Sequence, residues 1–257
     1  MRCKLTICTV LVVVVVALLW IAAVMRAVNP YTCQSKWEVD SLAANTNRKA
    51  KVLIVGNGPC VMKAKSGKLV DEFDEVVRFN AFQLIPEHTG TKTTIVFYNA
   101  GTKRPKRELN QVCSNCLEAG GWNGFWAFGL FARLFCGDGV DKNAMCMPSN
   151  FIHELRNKLD YSKAQRMWHG PTSGMMAIDY FTERYDEVTI YGFDFTNGLT
   201  NGRENHHYFG NGTWKDAISD LFHLPSKEYV HVKALIQAGR VKVLDGGCPM
   251  AGMHAHQ

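Results

Sequence analysis

The sequence predicts an α/β protein, a Rossmann-like α/β/α sandwich around a mostly parallel, twisted sheet, and three observations carry that expectation. Strand-forming runs at residues 52–55, 75–79 and 93–98, and a fourth from Asp186 that ends at Gly192, alternate with helix-like segments, the order that builds parallel sheets. The first run leads straight into Gly56-Asn57-Gly58-Pro59. Strand, tight turn, helix is the expected order there, since glycines let the backbone approach a ligand closely and Pro59 suits a first helical position. The third observation is Gly170-Pro171-Thr172-Ser173-Gly174, where a turn with Thr172 or Ser173 as cap opens another helix.

Taken from the amino end, residues 5–25 are apolar and carry no charge, between Arg2 and Lys4 on one side and Arg26 on the other. That length spans a bilayer as a helix. The expected organisation is a cytosolic tail at 1–4, a transmembrane signal anchor at 5–25, a polar stem at 26–50, a folded domain at 51–247 and a tail at 248–257. A cleaved signal peptide is the competing reading, but its apolar core is ordinarily only about 7–15 residues. The short amino end and the large remainder favour a type II arrangement.

The chain has 257 residues, enough for one α/β core with small appendages. Its formal charge of +6 is modest and scattered, which argues against nucleic acid and fits an anionic small substrate better. Nine cysteines include Cys113-x-x-Cys116, yet Cys136 and Cys146 are too far apart to complete a zinc ribbon. Disulfides or buried thiols are the expectation, and no metal site.

Within the domain, residues 60–69 form a helical candidate after the first turn, and 149–159 a capped helix. Lys103-Arg104-Pro105-Lys106-Arg107 reads as a solvated basic loop, with a role near an anionic substrate as the alternative. The aromatic-rich stretch at 122–135 reads as core unless Trp122 or Trp126 is exposed, where sugar stacking becomes possible.

The turns gain weight from what surrounds them. As a dinucleotide fingerprint Gly56-Asn57-Gly58 is poor, because Val61 holds the third glycine's place. The whole block, GNGP followed by DEFDEVVRFN and TGTKTT, resembles the large sialylmotif of the eukaryotic sialyltransferases (glycosyltransferase family 29). Gly170 to Gly174, followed by Asp186 and Tyr191-Gly192-Phe193, resembles the small motif, with Thr-Ser where Ser-Thr is commoner. His207-Tyr208-Phe209 resembles the short His-Tyr-aromatic motif, and His223 with Glu228 the histidine and glutamate with four residues between them. All four stand in the family's order. Two departures accompany them: the family disulfide between the large and small motifs has its places held by residues near Lys51 and by Tyr185, and the region after Ala50 is compact for the family. Cys60 could pair differently.

The resemblance implies a divergent, compact member with the sialyltransferase-type variant of the GT-A fold. It also implies transfer, with inversion, of sialic acid or a related 2-keto sugar acid such as Kdo from a CMP-sugar donor to a hydroxyl of a glycan on a glycoprotein or glycolipid. His223 would be the general base, since an imidazole titrates near pH ~6.5 when unperturbed, and Glu228 would support it or its helix. His207 with Tyr208, Gly56, Asn57, Asn80, Thr172, Ser173 and Gly174 would hold the CMP-sugar, whose phosphate gains charge as CMP leaves. No Asp-x-Asp occurs in the chain, which agrees with metal-independent chemistry and no cofactor. The implied location is the Golgi membrane, with the catalytic domain lumenal. Asn211-Gly212-Thr213 is a glycosylation sequon. Two other readings stay open: a Rossmann-type oxidoreductase or methyltransferase, and a membrane-tethered carbohydrate-binding or nucleotide-sugar-binding protein without turnover.

Overall fold

The computed structural model describes residues 16, 48–80, 82–99, 117–121, 145–146, 149–193 and 223–244; for 98–99, 117–121, 145–146, 149–150 and 167–168 it describes the backbone alone. Seven strands form one sheet: β1 Lys51–Val55, β2 Glu75–Phe79, β3 Ile95–Asn99, β4 Leu117–Gly121, β5 Met145–Cys146, β6 Glu187–Tyr191 and β7 Val241–Val243. Their spatial order is β5-β4-β3-β2-β1-β6-β7, and every pair is parallel. The described helices are α1 Gly67–Asp71, α2 Pro86–Thr89, α3 Ser149–Lys158, α4 Lys163–Trp168, α5 Ser173–Arg184 and α6 Pro225–Gln237. The membrane-span expectation at 5–25 lies outside the described residues save for Val16; among the described residues no helix is long and apolar enough to cross a membrane.

Strands buried on both faces need apolar residues in succession, and β1 has them. Val52 and Ile54 join Val77, Phe79, Phe97, Val188 and Ile190 on one face, under α3, α5 and Val232 of α6. Leu53 and Val55 face the other way, with Val61, Val70, Val76 and Tyr191. Two apolar clusters therefore sandwich one sheet, as expected of an α/β/α arrangement.

Two local expectations shift. The single helix expected over 60–69 is instead a 3-10 turn, Pro59–Lys63, that stops where Ala64 turns extended, and a separate α1. Gly67 restarts the chain against the beginning of α2, so closely that a Cβ there would lie 1.8 Å from the carbonyl oxygen of Pro86. The strand expected from residue 93 starts at Ile95, because the Thr94 hydroxyl accepts the Val76 amide at 2.9 Å and Thr94 N donates to Val76 O. Strands β4 and β7 carry no strong sequence signal, and β4 (LEAGG) is poor in strand formers.

The threonine-rich end of the first motif holds the fold together. Arg78, buried in β2, donates from Nη2 to the carbonyls of Thr89 (2.6 Å) and Lys92 (2.9 Å) and from Nε to Thr93 Oγ1 (3.0 Å). Asp71 accepts the amides of Thr91 and Lys92. At the site of the absent family disulfide, Asp186 N donates to Arg48 O at 2.9 Å and Lys51 stands in register with Glu187. Cys60 is disulfide-bonded.

A buried carboxylate ties three helices. Asp179 of α5 accepts Lys158 Nζ of α3 at 2.8 Å and meets His231 Nε2 of α6 at 3.2 Å. Burial pushes the Asp179 carboxyl up, but its bonds to His231 and Lys158 outweigh burial and hold it below its ordinary value. A lowered carboxyl stabilises the fold above the unfolded-state pKa, and that contribution is lost as pH falls through the folded value. Asp179→Asn should therefore cost roughly 1.5–3 kcal/mol at neutral pH. In urea titrations the gap to wild type should close below pH ~4.

Candidate active site

Strand order reverses at β1: the chain runs outward through β2 to β5 on one side and returns to place β6 and β7 on the other. In open α/β sheets the crevice beyond the strand ends at such a switch point takes the ligand. Gly56 and Asn57 follow β1, Asn80 follows β2, and Gly192 and Phe193 follow β6. Helices α5 and α6 run back toward the start of the strands that succeed them, β6 and β7, so their amino ends lie at this same edge.

The turn after β1 is closed by the chain itself. Gly56 N donates to Tyr191 O at 2.7 Å and Gly58 N to Gly192 O at 2.8 Å. A Cβ on Gly56 would lie 2.4 Å from Gly192 O, so this glycine answers a backbone neighbour. Gly192 itself has φ +77, a conformation that favours glycine. Asn57 Nδ2 donates to Phe79 O at 3.3 Å, binding the end of β1 to the end of β2. Asn80 adopts φ 44, where asparagine is tolerated better than most residues.

Thr172 is the cap of α5, not Ser173. Its Oγ1 accepts Met175 N at 3.0 Å, and its carbonyl accepts Met176 N. Ser173 and Gly174 then sit in the first turn, whose amides have no partner within the helix and carry the positive end of its dipole.

The histidine and glutamate of the fourth motif reach the same short strip from α6. His223, just before the helix, places Nδ1 at 2.8 Å from Gly170 O. A carbonyl only accepts, so Nδ1 carries the proton and the neutral ring keeps its lone pair on Nε2. Glu228, in the first turn of α6, accepts Thr172 N on Oε1 at 2.7 Å and faces Thr172 Oγ1 with Oε2 at 2.7 Å. The four-residue interval is what lets one helix start grip both Gly170 and Thr172. Glu228 is 2% exposed, and burial pushes its carboxyl up to about 7 against the lowering pull of the two Thr172 bonds. Tyr161 is buried too; burial first, and the Glu228 charge second, push its phenol above the ordinary range.

The structure thus gathers Gly56, Asn57, Asn80, Thr172, Ser173, Gly174, His223 and Glu228 at one sheet edge. His207, Tyr208, the basic loop at 103–107, Trp122, Trp126 and the Asn211 sequon lie outside the described residues. Sequence reasoning missed Gly170, whose carbonyl orients His223, and Phe193, whose ring touches two of the site glycines. Both stand inside a recognisable motif, but their roles need the partners that the fold supplies.

A parallel sheet with a glycine turn and a capped helix start at its switch point defines a doubly wound α/β protein. The chain belongs to glycosyltransferase family 29 (sialyltransferase), whose family model matches residues 20–118 and 126–240. It is similar to the lactosylceramide alpha-2,3-sialyltransferase of Pan troglodytes, 28% identical over 235 residues that cover 81% of this chain and 63% of that protein. The lactosylceramide alpha-2,3-sialyltransferase of Rattus norvegicus is 28% identical over 224 residues, 77% of this chain and 57% of the relative. The chain therefore spans less than two thirds of the length of these relatives. Its fold resembles the crystal structure of a mammalian sialyltransferase in complex with Gal-beta-1-3GalNAc-ortho-nitrophenol, with a TM-score of 0.53 and 15% identity over 76% of this chain and 69% of that one.

Proposed function

We propose that this protein transfers sialic acid, or a related 2-keto sugar acid, from a CMP-sugar to a hydroxyl of a glycan, with inversion and without a metal or cofactor. The observation that carries the reading is the pairing of an oriented base with a helix amino end: His223, just before α6, is turned by the carbonyl of Gly170, in the loop that leads to the Thr172 cap of α5. His223 Nε2 takes the acceptor proton as the acceptor oxygen bonds the anomeric carbon. The bond from that carbon to the CMP phosphate oxygen breaks at the same time, and CMP leaves with the electron pair. Amides at Ser173 and Gly174 are placed to stabilise the phosphate charge that develops. Gly56, Asn57 and Asn80 line the nucleotide side, and His207 supplies a further donor. Glu228 acts through Thr172, as a support of the phosphate-facing helix start.

The expected setting is a type II protein anchored by residues 5–25, with the catalytic domain in the Golgi lumen. The names of the relatives make lactosylceramide the first acceptor to try, as an instance of a glycolipid. The test is CMP release and product formation by the full-length chain in detergent with EDTA, from CMP-sialic acid and from CMP-Kdo. Turnover of one donor that survives EDTA is expected. CMP binding without turnover would favour a tethered nucleotide-sugar-binding protein, and loss of activity in EDTA would overturn the metal-independent mechanism.

A further inference from the structure

One aromatic ring touches three of the elements that make the site. Phe193 follows β6 and the bend at Gly192. Its Cε1 lies 2.7 Å from where a Cβ on Gly174 would be, at the start of α5, and its Cδ2 lies 3.1 Å from where a Cβ on Gly56 would be, after β1. It also stands edge-on to Phe79 at the end of β2, with ring centroids 6.0 Å apart and planes at 80°. Gly174 has no positive φ to demand a glycine. The demand comes from the ring: a methyl group at 174 would have to displace Phe193 or push the helix start away from it.

We propose that Phe193 is a positioning residue that sets how far the amino end of α5 stands from the glycine turn after β1, and so sets affinity for the CMP part of the donor. This rests on the CMP-sugar reading above. A phosphate held by first-turn amides is sensitive to helix placement, because those bonds require about 2.7–3.2 Å. Packed aromatic rings are stiff spacers, and replacing one by a smaller side chain lets the elements around it relax toward each other.

The test is a double-mutant cycle on the full-length chain, with CMP affinity by calorimetry and donor KM and kcat as readouts. Gly174→Ala should weaken CMP binding roughly tenfold, and adding Phe193→Leu should recover most of that loss, a coupling available only to residues in contact. Phe193→Leu alone should raise Kd and donor KM together by about threefold with a smaller change in kcat, whereas Phe193→Tyr, which keeps the ring, should stay near wild type. If Gly174→Ala does not fold, the contrast between Phe193→Leu and Phe193→Tyr decides. Wild-type binding of CMP with independent, multiplicative losses, or equal losses from Leu and Tyr at 193, would overturn this proposal and leave the functional reading standing. Wild-type protein that fails to bind CMP would overturn both.

Discussion

His223→Ala is expected to lower kcat for sugar transfer by about 10²–10⁴-fold, the range a positioned general base contributes. CMP affinity should change little, because the lost group acts on the acceptor proton and not on the nucleotide. Gly170 O receives the Nδ1 proton at 2.8 Å, which assigns the basic lone pair to Nε2. His223→Asn can restore a donor toward Gly170 but offers no comparable base, so it should be as inactive as alanine while matching wild-type stability more closely. Steady-state kinetics with calorimetry of CMP checks both. Retention of kcat within threefold in either variant would remove His223 from the chemistry.

The second large effect concerns Glu228. Its carboxyl is buried, its folded pKa stands near 7, and both oxygens meet Thr172. A raised folded pKa means that this group's contribution is fully present below the unfolded value, near ~4.3, and is lost as pH rises through about 7. Wild-type stability should accordingly decline across that window by about 3 kcal/mol from this group alone. Glu228→Gln should flatten the decline, since the amide can accept Thr172 N and donate to Thr172 Oγ1 without ionising. Glu228→Ala takes from the half-buried Thr172 amide and hydroxyl the carboxyl that both meet, and should cost roughly 1–3 kcal/mol at pH 5. Urea denaturation of the three proteins at pH 5 and pH 8 checks both statements. A pH slope in the Gln variant equal to that of wild type would show that Glu228 is not the titrating group. Activity should follow the Thr172 contact: Gln near wild type, Ala impaired chiefly in donor KM.

Much of this arrangement is legible in the sequence. Strands β1, β2 and β6 announce themselves as short runs rich in strand-forming apolar residues, unbroken at 52–55 in β1 and interrupted by Arg78 in β2 and Thr189 in β6, because a strand in the middle of a parallel sheet is buried on both faces. The turn at Gly56 and the cap at Thr172 are local signals, read from residues that are neighbours in the chain. β4 was not legible, since LEAGG has little strand preference and takes its conformation from pairing with β3. The helix expected over 60–69 divides in two for a related reason: Gly67 serves a contact with Pro86 that no local pattern displays.

The sequence by itself determined the fold class, the family resemblance and the types of residue that the chemistry requires. Periodicity and turn chemistry act within a few positions, so a one-dimensional reading can see them. Only the tertiary structure decided which partner each of those residues meets. His223 meets Gly170 across 53 positions and Glu228 meets Thr172 across 56, while the glycines at 56 and 174 answer to Gly192 and Phe193. Those pairings exist because β6 closes against β1 and brings the starts of α5 and α6 to one edge of the sheet, and proximity of that kind is created by folding, not by spacing along the chain.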